Sequence, residues 1–323
     1  MNRTEEVIVL NEAFTMKQKG QIHVILNQKQ EPLQEPARFF LNEAEREKHS
    51  PLEKIENEMS ALVGMDELKR LIKEIYAWLY INQCREAKGL KVERQALHML
   101  FKGNPGTGKT TVARLLGKLF YEMNVLSKGH LVEVERGDLV GEYIGHTAQK
   151  TRELVKKAMG GILFIDEAYS LARGGEKDFG KEAIDTLVKQ MEDKQHDFLL
   201  ILAGYSHEME YFLKTNPGLP SRFPIMISFP DYNVNELMKI SRKMVAEREY
   251  VLTQRAEQKL EQHLQTVKLQ NRTSFSNGRY VRNIIEKAIR SQSVRLLREG
   301  DHERERLLTL REEDFKLTEA ATV

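Results

Sequence analysis

The stretch Gly103-Asn-Pro-Gly-Thr-Gly-Lys-Thr110 decides the fold of the central part of this chain. It fits the pattern G-x-x-x-x-G-K-[ST], a glycine-rich loop whose main-chain N–H groups surround the phosphates of a nucleotide. Such a loop needs a strand before it and a helix after it. Residues 97–101 form a short apolar run, and residues 111–123 carry apolar side chains at helical spacing. The sequence therefore predicts a nucleotide-binding protein built around this loop.

The loop also predicts which groups contact the nucleotide. Lys109 would reach the outer phosphates, and the Thr110 hydroxyl would be a ligand of Mg2+. The N-terminus of the following helix adds positive partial charge at the same place. The predicted contacts in this segment are Gly103, Asn104, Pro105, Gly106, Thr107, Gly108, Lys109, Thr110 and Thr111.

The composition limits the class of protein. The 323 residues, 41% of them hydrophobic and 30% charged, are enough for two globular domains. A formal net charge of +2 gives no general argument for nucleic-acid binding. The sequence has no apolar run long enough to span a bilayer, no signal-peptide pattern and a single cysteine, Cys84. These features predict a cytoplasmic protein without membrane insertion. The nine histidines lack metal-ligand spacing, so no zinc site is predicted.

Strand and helix signals alternate on both sides of the loop. Beyond the loop's helix, apolar runs predict four further strands, at 131–135, 162–166, 198–203 and 224–229. Helical patterns at 148–159 and 182–191 separate them, and a helix at 66–84, with Asp66 as its N-cap, precedes the loop. Strands alternating with helices predict an α/β domain whose parallel sheet is covered by helices on both faces.

The pattern changes near each end of the chain. After Pro230 only helices are predicted, at 235–248, 254–266 and 278–298, with a short strand or turn at 307–310. The prediction is therefore an α/β nucleotide-binding domain at 56–230 and a smaller helical lid with a charged tail at 231–323. Residues 1–55 are predicted to be an N-terminal extension and linker, in which the apolar runs 7–10 and 21–26 suggest a small hairpin.

Two carboxylates follow the predicted strand at 162–166. Asp166 ends that strand and Glu167 comes next, which puts both at the carboxyl edge of the sheet beside the loop. Asp166 is suited to hold Mg2+. Glu167 is suited to polarise a water molecule for attack on the γ-phosphate.

These motifs together resemble those of AAA+ ATPases. The loop and Ile162-Leu-Phe-Ile-Asp-Glu167 resemble the Walker A and Walker B motifs of that family. Three further segments resemble its arginine-finger segment, its sensor-2 motif and its first pore loop: Asn216-Pro-Gly-Leu-Pro-Ser-Arg222-Phe, Ser276-Asn-Gly-Arg279-Tyr-Val-Arg282-Asn and Gly141-Glu-Tyr143-Ile144-Gly145-His-Thr. The resemblance covers residues 55–316. It is strongest to the subgroup of AAA+ ATPases that contains the red-type Rubisco activases and a sporulation protein. Over its whole length the chain is most similar to the sporulation protein.

The resemblance implies a role for each of these residues. Arg222 would reach the γ-phosphate held by a neighbouring subunit, so the active site would require a homo-oligomer. In this family the resemblance implies a hexamer. Arg279 would close the lid onto the phosphates, with Arg282 as the alternative. Tyr143, Ile144 and Gly145 would line a central channel and grip a polypeptide; the competing reading is a tyrosine buried in a packed loop. Residues 173–177 are a weaker match to a second pore loop.

One position departs from the family. The strand at 198–203 should end in a polar sensor-1 residue, but here it continues Ala203-Gly-Tyr205-Ser206. Tyr205 and the neighbouring Ser206 are the two candidates for a catalytic hydroxyl at this position.

The predicted function is that of a ring-forming motor that uses ATP and Mg2+ to remodel or thread a protein partner, as part of bacterial spore formation. A second hypothesis is an ATP-switched scaffold that assembles a complex without threading. A DNA-directed factor is disfavoured by the near-neutral charge and the aromatic pore loop, so nucleic acid is not an expected partner.

Overall fold

The computed structural model describes residues 50–60, 62–92, 95–143, 145–173, 178–270, 275–300 and 302–317. The hairpin expected within residues 1–49, pore-loop residue Ile144 and residues 174–177 of the second pore loop lie outside this part of the chain. The described helices are α1 Ser50–Ser60, α2 Asp66–Ala87, α3 Lys109–Glu122, α4 Arg136–Leu139, α5 His146–Ala158, α6 Gly180–Asp193, α7 Ser206–Thr215, α8 Val234–Ala246, α9 Gln254–Gln270, α10 Asn277–Glu299 and α11 Arg304–Leu308.

A five-stranded parallel sheet forms the first part of the fold. Its strands are β1 Met99–Gly103, β2 Leu131–Val134, β3 Ile162–Ile165, β4 Leu199–Gly204 and β5 Ile225–Phe229, in the spatial order β2-β3-β4-β1-β5. All four strand pairs are parallel. Because parallel strands end at one edge, the loops that follow β1, β3, β4 and β5 meet there. The predicted fold class is confirmed.

The sheet is buried on both faces, which explains why its strands are continuously apolar. Alternate residues of each strand point to opposite faces. Phe101 and Phe164 pack with α2 and α3, whereas Leu100 and Leu163 pack with α5, α6 and α7. Each of these four side chains is fully buried. Two separate cores therefore hold the sheet edge rigidly beneath the nucleotide loop.

The second part of the fold is the helical lid. Helices α8, α9 and α10 enclose a third core, to which Leu237, Leu260 and Ile285 contribute. The expected element at 307–310 is the end of α11 followed by the short strand β7 Thr309–Leu310, which pairs with β6 Val251–Leu252. None of the described helices has the length and apolar character needed to cross a bilayer.

One helix start was wrong. Met65, not Asp66, precedes α2, with a left-handed backbone at φ 62°, and Asp66 is its first helical residue. The Met65 side chain packs beside the nucleotide loop, because a Cβ built on Gly108 would lie 2.9 Å from Met65 Cε. Met65 therefore contacts the loop and forms no side-chain capping hydrogen bond with this helix.

Candidate active site

A cavity of about 470 Å3 opens at the carboxyl edge of the sheet, between the sheet and the lid. Ligand cavities in proteins typically range from roughly 300 to 1,000 Å3. Its lining includes nearly all the sequence-predicted nucleotide residues: Gly103, Pro105, Gly106, Gly108, Lys109, Thr110, Thr111, Asp166, Glu167, Tyr205 and Arg279. The fold thus brings together residues that are more than 170 positions apart in sequence.

The loop carries a concentrated positive charge. Lys109 Nζ donates hydrogen bonds to the main-chain oxygens of Gly103 at 2.8 Å and Asn104 at 2.9 Å. An ammonium group has three donors, so one remains for a phosphate oxygen. Burial lowers the pKa of Lys109 below its ordinary value, while Asp166 and Glu167 act in the opposite direction. These two carboxylates therefore help to keep the ammonium charged at the place where phosphate would bind.

Thr110 and Asp166 supply oxygen atoms of the kind that Mg2+ prefers. Both line the cavity. The Thr110 hydroxyl, at the start of α3, donates a long hydrogen bond of 3.4 Å to Glu133 Oε1 on β2. Mg2+ usually takes only one or two side-chain ligands and completes its shell with phosphate oxygens and water. The two residues present fit that requirement.

Glu167 lines the cavity beside Asp166. It follows β3 in a left-handed conformation, with φ 47°, and its side chain is exposed. Its amide donates to Asp166 Oδ1 at 3.0 Å, so the two carboxylate residues are held in a tight turn. An exposed carboxylate at the cavity can accept a proton from water.

Tyr205 rather than Ser206 lines the cavity. Tyr205 is half-buried and precedes α7, and its ring lies 6.0 Å from that of Tyr169. Burial raises the pKa of the neighbouring Tyr169 to about 12, so that phenol stays protonated. The geometry favours Tyr205 for the sensor-1 position.

Arg279 and Arg282, both on α10, line the cavity and are exposed. Neither has a hydrogen-bond or ion-pair partner within the described chain. The positive charge of Arg279 acts on Lys109 and lowers the pKa of that lysine. A Cβ built on Gly106 of the loop would lie 2.7 Å from Arg279 N, and this close approach favours Arg279 over Arg282 as the lid arginine that faces phosphate.

A polar cluster that sequence reasoning missed joins the loop to the lid. Asn277 Nδ2 donates to Asp231 Oδ1 at 2.7 Å, and Asn104 Nδ2 donates to both oxygens of the same carboxylate at 3.0 Å. Tyr232 donates its amide to Asn277 Oδ1 and its hydroxyl to the Thr107 main-chain oxygen, each at 3.0 Å. We call Asn104, Asp231, Tyr232 and Asn277 the lid clamp.

Main-chain packing reinforces the lid clamp. Gly278 N donates to Gly106 O at 3.1 Å. A Cβ built on Gly106 would lie 2.3 Å from Ser276 O and 2.7 Å from Arg279 N, and φ at Gly106 is 71°. Only glycine fits there without displacing the lid. The position of Arg279 is therefore set directly by contact with the phosphate-binding loop.

The cavity also has an apolar lining that the sequence did not reveal. Leu62, Val63 and Met65 precede α2, and Ile240 and Met244 come from α8 of the lid. Apolar walls with a few polar groups are typical of sites that bind small molecules and cofactors.

Arg222 is not part of this cavity. It lies in the short turn Pro220–Arg222, and its guanidinium forms an ion pair with Glu192 at the end of α6, with Nε 3.1 Å from Oε1. Its Nη1 donates to Gly218 O at 2.5 Å. Two of the predicted contacts, Asn104 and Thr107, are also absent from the lining. Asn104 serves the lid clamp instead, and the buried Thr107 donates its hydroxyl to Asn104 O at 2.7 Å.

Tyr143 is on the surface. Its side chain is 66% exposed, and its ring meets the exposed His146 ring edge-on at 5.4 Å. Gly145 follows with φ 82° and precedes α5. The alternative of a tyrosine buried in a packed loop is therefore wrong.

The sequence matches two family profiles in tandem. The profile of the ATPase family associated with various cellular activities (AAA) matches residues 99–231, and the AAA lid domain matches residues 233–322. Stage V sporulation protein K of Bacillus subtilis is 63% identical over 322 residues, covering 97% of this chain and 99% of that protein. The chloroplastic ribulose bisphosphate carboxylase/oxygenase activase of Cyanidioschyzon merolae is 44% identical, covering 73% and 80%. Protein CbbX of Cereibacter sphaeroides is 44% identical, covering 82% and 85%.

Solved structures show the same fold at low sequence identity. The AAA domain of FIGL-1 in complex with ADP aligns with a TM-score of 0.55 and 16% identity, covering 80% of this chain and 81% of that one. A katanin structure, from work on the structural basis of katanin self-assembly, aligns with a TM-score of 0.52 and 19% identity, covering 80% and 82%. Given the phosphate loop, the paired carboxylates, the lid arginines and these relatives, the chain belongs to the AAA+ family of ATPases, with an AAA domain followed by an AAA lid domain.

Proposed function

We propose that this ATPase works in the cytosol as a homo-oligomeric ring, a hexamer, that uses ATP hydrolysis to remodel or thread a protein partner. The observation that carries the proposal is the position of Arg222. This arginine lies outside the cavity of its own chain and is paired at the surface with Glu192. If Arg222 stabilises the transferring phosphate, as the family resemblance implies, it does so in the site of a neighbouring subunit, which makes assembly part of catalysis.

Within one subunit the residues divide the work. Lys109 and the loop amides bind phosphate. Thr110 and Asp166 would hold Mg2+, which would supply positive charge to the phosphate oxygens. Glu167 accepts a proton from the attacking water, and Tyr205 orients that water. Arg279 lies on lid helix α10 and contacts the phosphate, so the angle of the lid depends on which nucleotide is bound.

Tyr143 is the candidate grip on the partner. An exposed tyrosine offers a large amphipathic surface that holds an extended chain with little demand on its sequence. The exposed His146 ring lies edge-on against the Tyr143 ring. Six such loops around a channel would contact one polypeptide from all sides.

The relatives suggest a cellular context. Similarity over almost the whole chain to stage V sporulation protein K supports a role in spore formation. The similarity to Rubisco activase supports remodelling of a protein complex as the type of work, but it does not identify the partner, because a shared motor does not fix the target.

The experiment replaces Tyr143 with alanine and compares it with Tyr211→Ala, which removes a tyrosine of similar exposure from α7. The probe is a fluorescently labelled, permanently unfolded polypeptide. A motor in which Tyr143 grips the chain keeps its basal ATPase rate in Tyr143→Ala and loses ATP-dependent translocation of the probe, while Tyr211→Ala keeps both. A scaffold, the competing function, does not translocate the probe even as the wild-type protein, and that result would rule out threading. Translocation that is undiminished in Tyr143→Ala would rule out Tyr143 as the residue that holds the chain.

A further inference from the structure

Arg136 occupies a central position between the hydrolysis site and the Tyr143 loop. It is the first residue of α4, directly after β2 and Glu135. Its Nη1 donates to the main-chain oxygen of Ser170 at 2.7 Å. Its Nη2 donates to both carboxylate oxygens of Asp178, at 2.7 and 2.8 Å. The guanidinium therefore ties three segments of the chain together.

The first of these segments begins at the catalytic carboxylate. Ser170 lies in the turn Ala168–Ala172, immediately after Glu167. Its amide donates to Glu167 O at 2.8 Å, and its carbonyl accepts from Arg136. Ser170 is 9% exposed, so this peptide has little room to move on its own. Two consecutive hydrogen bonds therefore connect the Glu167 main chain to the guanidinium.

The second segment is the start of α6. Asp178 Oδ1 also accepts from Gly180 N at 2.8 Å. A Cβ built on Gly180 would lie 2.1 Å from Leu171 O and 2.9 Å from Arg136 Nη1, so the three segments are in van der Waals contact without a gap. Burial raises the pKa of the Asp178 carboxyl, but hydrogen bonds from Arg136 and Gly180 outweigh it and hold that pKa below its usual value. The ion pair is therefore intact at neutral pH.

The third segment leads to Tyr143. Arg136 O accepts from Val140 N at 2.9 Å and closes α4. Gly141 N then donates to the hydroxyl of the buried Thr147 at 2.9 Å, and a Cβ on Gly141 would lie 2.6 Å from His146 Cβ. The base of the loop is thus fixed on both sides, whereas Tyr143 at its tip is exposed. A rotation of α4 would therefore displace the base of the loop that carries Tyr143.

We propose that Arg136 is a positioning residue that transmits movement of the Glu167 turn to Tyr143, so that the nucleotide in one subunit sets the position of that subunit's own grip. The proposal rests on the function proposed above. Its role needs the fork of a guanidinium, because two different acceptors in two different segments must be held at once. Lysine keeps the charge but holds them only loosely.

The test places an environment-sensitive dye beside Tyr143. In a Cys84→Ser background, Glu142→Cys carries the dye, and its fluorescence is compared with ADP and with a non-hydrolysable ATP analogue. The variants are Arg136→Gln and Arg136→Lys. Arg242→Gln is the matched control, because it removes an exposed arginine from a similar two-point pair with Glu257 in the lid.

The parent and Arg242→Gln should show a signal difference between the two nucleotides. Arg136→Gln should reduce that difference at least about fivefold while nucleotide affinity stays within about twofold, since the arginine touches no phosphate-binding group. Arg136→Lys should show a signal difference between those of the parent and Arg136→Gln. Because it is the milder change, it also tests the proposal if Arg136→Gln does not fold.

Three results would overturn the proposal: an undiminished signal difference in both Arg136 variants, a loss that only follows a loss of nucleotide affinity, or no difference in the parent. The last result would leave intact the ATPase and the intersubunit site, which have their own tests.

Discussion

Asn277 Nδ2 and Asp231 Oδ1 are 2.7 Å apart, and this contact joins the first turn of lid helix α10 to the segment that follows β5. Asn277 is fully buried and has a left-handed backbone with φ 44°, which asparagine tolerates better than most residues. Asp231 accepts from Asn104 of the phosphate loop as well. One carboxylate therefore fixes the lid and the loop relative to each other.

Asn277→Asp should destabilise the protein in a pH-dependent way. It retains the acceptor for the Tyr232 amide but puts a second carboxylate against Asp231. Like charges at this distance raise the folded-state pKa of one carboxyl above its unfolded value of about 4. The variant is then closest to wild type below that unfolded pKa and loses stability as the pH rises through the raised folded pKa.

We expect the loss in unfolding free energy relative to wild type to reach about 2–4 kcal/mol at pH 8 and to be much smaller at pH 5. Urea titrations at the two pH values measure it. Asn233→Asp is the control, since it makes the same change at the exposed N-cap of α8, where aspartate serves as well as asparagine. An Asn277→Asp loss that is equal at both pH values would contradict the charge argument.

Glu167→Gln should separate nucleotide binding from turnover. The amide has nearly the same shape but cannot accept a proton, while Lys109 and Thr110 still bind phosphate. The ATPase kcat should fall by roughly 100-fold or more, and the Kd for ATP should stay within about twofold. Steady-state ATPase assays and fluorescent-nucleotide titrations check both values.

Glu153→Gln, which removes an exposed carboxylate of α5 outside the cavity, should leave both constants unchanged. A Glu167→Gln protein that still turns over ATP at near the wild-type rate would mean that another group is the base.

The sequence alone predicts the parts of the site that are local in the chain. The loop at 103–110 and the pair Asp166–Glu167 are recognisable because their function depends on the spacing of neighbouring residues. The continuous apolar runs predict buried parallel strands for the same reason. The lid arginine on α10 could be found because it lies within a contiguous motif.

What the sequence could not predict depends on which strands are neighbours. Asp231 joins the loop because β5 lies beside β1, although the two strands are more than 120 residues apart. Asp231 has no motif of its own, but its place just beyond a parallel strand was an available signal. The role of Arg136 is harder to predict from the sequence, because its two acceptors lie 34 and 42 residues away and only the folded chain brings them together.

Arg222 illustrates the opposite case. The resemblance predicts a role in a neighbouring subunit, and the geometry of one chain agrees with it in one respect only: the arginine lies outside its own cavity and pairs with Glu192. Surface ion pairs contribute about 0–1 kcal/mol, so Glu192 would release Arg222 readily to a phosphate.

Mixing two inactive variants tests the intersubunit site most directly. Glu167→Gln lacks the base but keeps Arg222, and Arg222→Ala lacks the arginine but keeps Glu167. Each protein alone should have little ATPase activity. After co-assembly in equal amounts, about one interface in four should combine an intact Glu167 with a neighbour's Arg222, and activity should rise towards about a quarter of the wild-type rate. A mixture no more active than the average of the two separate proteins would contradict the account, because it would mean that Arg222 does not complete the site of a neighbouring subunit.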